Sequence, residues 1–263
     1  MEKELLIRAD GVTKMFGQLT AVDNVSMDIY SGEIYGVAGL NGAGKSTLLA
    51  ILAGVMRPDA GAVLYGGAHA SAAALRIGYV PQEIALFPDL SVYDNLKFWS
   101  LASGSGATAH NGSAPIKERI AAAAEIAGLS ERMRQTVRSL SGGMRQRVNI
   151  AAALVAAPDI LIMDEPTAGL DVKNRRDILN FVNALARGGP REGLAGNIAV
   201  VCTSHQSGEL EMVSDRLLLL DRGRAVFDGP PSNVFSGKYA AYENIDDILY
   251  SLGSSEFRGQ GAK

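Results

Sequence analysis

Gly39-Leu40-Asn41-Gly42-Ala43-Gly44-Lys45-Ser46, followed by Thr47, is the stretch of this sequence best suited to chemistry. It fits GxxxxGK[ST], the pattern of a loop that cradles phosphates. Glycines let the backbone pass close to a polyphosphate, so that successive N–H groups turn toward its oxygens. A helix that starts directly behind the loop adds the partial positive charge of its N-terminus. Lys45 supplies an ammonium that reaches β- and γ-phosphates, and the Ser46 hydroxyl is a ligand for Mg²⁺. The bland alternative is a Gly-rich turn. The apolar run Ile34 to Ala38 before the loop and the helical run Ser46 to Leu52 after it favour the cradle.

A second stretch, Ile160-Leu161-Ile162-Met163-Asp164-Glu165, is an apolar run ending in two acids. Alone, this pattern describes any buried strand whose chain reaches solvent. Beside a phosphate cradle it acquires a use. Asp164 at the end of the strand sits by the Mg²⁺ shell, and Glu165 faces the γ-phosphate and polarises a water for in-line attack. A third stretch, Leu140-Ser141-Gly142-Gly143-Met144-Arg145-Gln146-Arg147, places a serine and two glycines at the start of a helix. That is a second anion-binding helix start. One chain with one cradle and two such helix starts points to a nucleotide held between two subunits.

The third stretch resembles the signature motif of ATP-binding cassette (ABC) proteins. Further residues match that family in its order. Gln82, in Val80-Pro81-Gln82, resembles the lid glutamine that contacts Mg²⁺ or the attacking water and couples to a membrane partner. Ala168-Gly169-Leu170-Asp171 resembles the loop whose aspartate crosses the dimer interface. His205, in Thr203-Ser204-His205, resembles the switch histidine that touches the γ-phosphate. Phe16 stands at the position that stacks on adenine, where the family usually has tyrosine; the change keeps the π-face and loses the hydroxyl. Met144-Arg145 replaces the Gln-Gln of many relatives, a variant similar to the branch that exports drugs, antibiotics and polysaccharides.

The resemblance implies ATP and Mg²⁺ as ligands and a set of roles. Glu165, His205, Lys45 and Gln82 are the catalytic group. Phe16, Gly39, Leu40, Asn41, Gly42, Ala43, Gly44, Lys45, Ser46 and Thr47 bind the nucleotide, with Ser141, Gly142, Gly143 and Asp171 closing on it from a second subunit. Ser46, Gln82 and Asp164 hold the metal. The implied partners are an integral membrane permease and a second nucleotide-binding subunit, which places the chain at the cytoplasmic face of a membrane.

These residues need a scaffold, and the pattern of the chain supplies one. Short apolar runs predict strands at Leu5 to Ala9, Val22 to Tyr30, Glu33 to Ala38, Ala62 to Leu64, Ile77 to Val80, Ile160 to Met163, Ile198 to Thr203, Arg216 to Leu220 and Ala225 to Phe227. They alternate with helical stretches, which predicts an α/β domain with a mostly parallel sheet. From Ser91 to Ala157 the pattern is helical. The family's P-loop NTPase (RecA-like) fold, with an antiparallel β subdomain and an inserted helical subdomain at 85–157, accommodates both features. It implies a cassette over 1–240 and a C-terminal tail over 241–263. Two polar, Gly-rich stretches, Ala102 to Pro115 and Arg187 to Asn197, read as surface connections.

Bulk composition limits the alternatives. The 263 residues are 47% hydrophobic and 20% charged, which suits a globular chain with its own core. A net charge of -3 lacks the basic excess of a nucleic-acid binder, and none is expected as a partner. The single cysteine, Cys202, excludes an internal disulfide and reads as a small buried hydrophobe. The longest apolar stretch, Ile150 to Ala157, is far short of the ~20 residues that span a bilayer. Two other functions stay open at this point: a cassette protein of translation or DNA repair, and a nucleotide sensor that no longer hydrolyses. The first usually shows fused cassettes, coiled coils or basic surfaces; against the second stand Glu165 and His205.

Overall fold

The computed structural model describes residues 3–66, 75–103, 115–188, 198–204 and 206–254. In chain order the elements are β1 (Leu5–Phe16), β2 (Leu19–Tyr30), β3 (Ile34–Ala38), α1 (Lys45–Leu52), β4 (Ala60–Tyr65), β5 (Ile77–Val80), α2 (Val92–Ala102), α3 (Ile116–Ile126), α4 (Gly142–Leu154), β6 (Ile160–Met163), α5 (Val172–Arg187), β7 (Ala199–Thr203), α6 (Ser207–Val213), β8 (Arg216–Asp221), β9 (Arg224–Gly229) and α7 (Ile245–Ser254). The chain forms two compact units. One joins Met1–Ala74 to Val201–Lys263, and the other is Leu75–Val200.

In the first unit β1 is the middle strand of an antiparallel sheet ordered β2-β1-β4. Ile7 pairs with Ile29 and Ala9 with Met27, so the apolar positions of both strands share one face, and all four are buried. The alternation in the sequence predicts this strand only to Ala9. It continues to Phe16 through a register shift between Ala9 and Val12, where Gly11 takes φ 58°. A bulge of this kind breaks the period of two by which a strand is recognised. β3 runs parallel to β8, and β9 returns antiparallel to β8. All five residues of β3 are buried, as for a parallel strand covered on both faces. α1 packs on β1 and β2 and buries Leu48, Leu49, Ile51 and Leu52.

The segment expected as a tail contains α7, which packs on α6 and β8 and buries Ile245, Ile248 and Leu249. Their i, i+3, i+4 spacing gives the helix one apolar stripe, and burial of each side chain contributes about 2 kcal/mol.

In the second unit β5 and β6 pair in parallel, with Tyr79 opposite Ile162. The helical lobe consists of α2, α3 and α4 packed on one another, and α4 also contacts β5 and α5. Between α3 and α4 the chain makes 3-10 turns at Ser130–Arg132 and Val137–Ser139, and Thr136 bridges to Ser91. Ser91 caps α2 by accepting the Asp94 N–H at 3.0 Å. Most of the two Gly-rich connections falls outside the described residues. No helix among the described residues is long and apolar enough to cross a membrane.

Candidate nucleotide-binding and catalytic site

In the first unit the cradle forms between β3 and α1. Gly44 caps α1 with φ 100° and no side-chain hydrogen bond, so the amides of the first turn are not covered by a capping side chain. A Cβ on Gly44 would overlap the carbonyl oxygen of Ala21, and one on Gly39 would lie 2.5 Å from the carbonyl oxygen of Leu220. The loop is pressed against β2 and β8, and only glycine permits that approach. Two backbone bonds hold the same place: Ala43 O accepts from Gly223 N–H at 2.9 Å, and Gly223 O from Asp23 N–H at 2.8 Å. Gly42 differs, with φ 81° and open space around its Cα.

Lys45 is 5% exposed. Its Nζ donates to Gly39 O at 2.7 Å and Leu40 O at 3.1 Å, so the ammonium is folded back into the loop. Ser46, Leu40 and Asn41 are exposed, and Thr47 is half-buried. Phe16 lies at the end of β1 with 49% of its surface exposed, which leaves a ring face open to stacking. The Lys14 ammonium sits 5.8 Å from the Phe16 ring centroid and pairs with Asp59 at 3.0 Å. Lys14 was not singled out from sequence, because a lysine on a surface strand is ordinarily solvated.

In the second unit the acids follow β6, whose four residues are all buried. Asp164 is 3% and Glu165 6% exposed. Asp164 N–H donates to Val80 O at 2.9 Å, which fixes the acids beside the end of β5. Burial raises the Tyr79 hydroxyl above its ordinary pKa, and the negative charge of Asp164 adds to the rise. Gln82 follows β5, and its Nε2 donates to Glu165 Oε2 at 2.9 Å. Glu165 has φ 51°. A left-handed backbone on a non-glycine residue costs about 1–3 kcal/mol, and Asn24, Ala157 and Arg222 share it. The structure thus brings Gln82 and Glu165 together through one side-chain hydrogen bond.

Ser141 and Asp171 each begin a helix in this unit. Ser141 Oγ accepts the Met144 N–H at 3.3 Å at the start of α4. Asp171 Oδ1 accepts the Asn174 N–H at 2.8 Å at the start of α5, which holds the Asp171 carboxyl below the usual range. Both capping residues are exposed, while Gly143 is buried. Asn174 was not singled out from sequence, although the spacing Asp-x-x-Asn at a helix start is a capping signal. His205 lies outside the described residues.

Residues 22–168, more than half of the chain, match the family described as ABC transporter. The chain belongs to the ABC transporter family. A second match, to an AAA domain described as a putative AbiEii toxin, covers residues 129–211. The linearmycin resistance ATP-binding protein LnrL of Bacillus subtilis is 37% identical over 88% of this chain and 71% of its own length. The Nod factor export ATP-binding protein I of Ralstonia nicotianae is 36% identical over 88% and 69%. The daunorubicin resistance ATP-binding protein DrrA3 of Streptomyces coeruleorubidus is 35% identical over 94% and 74%. Among solved structures, a dimeric bacterial ABC transporter cassette matches with TM-score 0.69 and 26% identity, covering 86% of this chain and 99% of that one. The cbiO1 subunit of Clostridium perfringens matches in fold with TM-score 0.73 and 24% identity, over 95% and 100%. The cassette is thus an ATP-binding, ATP-hydrolysing subunit of an ABC transporter with the expected α/β P-loop fold, and neither alternative class gains support.

Proposed function

We propose that the cassette powers export of a small molecule through a separate membrane permease, with ATP clamped between two nucleotide-binding subunits. The observation that carries this reading concerns helix ends. α2, α3, α6 and α7 have an acidic residue in the first turn, and α5 has Asp171 as its cap. Among the described α-helices only α1 and α4 begin with no acid at the cap or in the first turn. Their positive ends are left uncompensated, and each lies in a phosphate-binding motif. One triphosphate uses both when the cradle of one subunit meets Ser141 to Gly143 of another.

The roles follow from the groups present. Phe16 stacks on the adenine. The loop Gly39 to Thr47 binds the phosphates, and Lys45 leaves its two carbonyl partners for the γ-phosphate. Glu165 orients the attacking water and accepts its proton, while Lys45 and His205 stabilise charge on the transferred phosphoryl group. Asp171 crosses to the neighbouring subunit. Mg²⁺ is the ion this reading calls for: the Ser46 hydroxyl, the Gln82 amide carbonyl and the Asp164 carboxylate each carry the kind of oxygen it takes. That suits an ion held by a few protein oxygens together with phosphate. When bound, the ion neutralises charge on the triphosphate.

The permease-facing surface is assigned to the segment after Gln82. Ile84, Phe87, Leu90, Phe98 and Leu101 are all exposed, and Phe87, Phe98 and Trp99 stack edge to face at 4.7 and 5.3 Å. Buried Asn95 fixes the segment by accepting the Phe87 N–H at 2.8 Å and donating to Phe87 O at 3.0 Å. An exposed apolar cluster on an ordered support is the usual mark of a docking surface. Export agrees with the names of the relatives, two for drug resistance and one for Nod factor export.

The test is Glu165→Gln. Turnover is expected to fall at least about 10³-fold, with ATP affinity retained and an ATP-dependent dimer seen by light scattering. Wild-type turnover would remove Glu165 from the mechanism.

A further inference from the structure

We propose that Asn174 is a positioning residue that ties the Asp171 loop to the start of α4, so that both segments meet a neighbouring subunit as one block. This rests on the reading above, in which Ser141, Gly143 and Asp171 face a second copy.

Asn174 lies in the first turn of α5 and is occupied on two sides. Toward the loop, its backbone N–H donates to Asp171 Oδ1 at 2.8 Å and its Nδ2 donates to Asp171 Oδ2 at 2.9 Å. Both carboxylate oxygens are held by one residue, which sets the direction of the carboxylate. Toward α4 stands Gly143. A Cβ there would meet Asn174 Oδ1 at 2.5 Å, Cγ at 2.7 Å and Cβ at 3.0 Å. The missing side chain lets the opening of α4 rest directly on the Asn174 amide.

The neighbouring glycine makes a parallel contact. A Cβ on Gly142 would lie 3.7 Å from Leu170 Cδ2, and Arg175 Nη2 donates to Leu170 O at 3.1 Å. The signature glycines therefore lie against Leu170 and Asn174, one on each side of Asp171, and Arg175 of α5 holds the Leu170 carbonyl. A shift of α4 displaces Asn174 and turns the Asp171 carboxylate with it. Asparagine suits the place because it donates to a carboxylate; aspartate would set two carboxylates face to face, and leucine keeps the volume without the donor.

A double-mutant cycle on ATPase activity, using the chain with its permease, tests the assignment. Asn174→Leu is expected to lower kcat about tenfold and leave KM for ATP within about twofold, because the cradle is untouched. In an Asp171→Ala background the same substitution is expected to cost nothing further. Asn174→Ala, which drops the donor without adding bulk, gives the same pattern if the leucine variant folds poorly. Two outcomes overturn the proposal: unchanged kcat in Asn174→Leu while Asp171→Ala is impaired, or the same fold-loss in both backgrounds. If Asp171→Ala itself hydrolyses normally, the interface reading of Asp171 fails first and the proposal falls with it.

Discussion

In the first unit the loop Gly39 to Gly44 is shaped by backbone against backbone. Gly39 and Gly44 stand where any side chain would run into the carbonyl oxygens of Leu220 and Ala21, and the bond from Gly223 N–H to Ala43 O closes the packing. In the second unit the corresponding groups are aimed by side chains. Gln82 holds Glu165, Asn174 holds Asp171, and Ser141 holds the first turn of α4. A site aimed by backbone is difficult to alter without unfolding the loop. One aimed by single hydrogen bonds can switch partners within a cycle at about 1 kcal/mol each. In the proposed cycle, binding falls to the rigid part and the timing of hydrolysis to the adjustable part.

The contrast is open to attack at the glycines. Gly44→Ala forces a Cβ into Ala21 O at φ 100° and is expected to cost about 3–5 kcal/mol in urea unfolding. Gly42→Ala meets open space at φ 81° and is expected to cost about 1–2 kcal/mol, for backbone strain alone. Equal costs at the two positions would mean that close packing does not shape the cradle.

Acid titration sharpens the contrast more gently. Burial raises the Glu33 carboxyl of the first unit above its ordinary 4.5. Its contribution to stability is full below that value and is lost as pH rises through the higher folded pKa. Asp171 in the second unit is held below its ordinary 3.8 by the Asn174 N–H. Its contribution is present above 3.8 and is lost as pH falls through the lower folded pKa. Glu33→Gln should therefore flatten the stability curve above pH 4.5, and Asp171→Asn below pH 3.8. A series of urea midpoints against pH reads both, and a reversed order would contradict the assigned causes.

The same division explains what was legible in the sequence. The cradle could be read because its path depends on glycines at fixed spacing, a local requirement. Asp164 and Glu165 could be read from an apolar run that ends in charge. β1 beyond Ala9 could not, since the bulge at Gly11 interrupts the alternation. α7 carried its signal in Ile245, Ile248 and Leu249, but a short amphipathic stripe near a chain end has no local mark of what it docks on. Asn174 was hidden for a different reason: its partner Gly143 is distant in sequence, and only the packing of α4 on α5 brings them together.

The central claim, a nucleotide shared between the cradle of one subunit and the signature helix of another, is tested most directly by mixing two inactive chains. Lys45→Ala removes the ammonium of the cradle, and Ser141→Arg blocks the start of α4. Each alone should be close to inactive. Co-assembled in equal amounts with the permease, they leave one intact pairing in each mixed dimer, and ATPase activity should return to roughly a quarter of wild type. No recovery above the separate variants would show that cradle and signature helix act within one chain, and the shared site would be wrong.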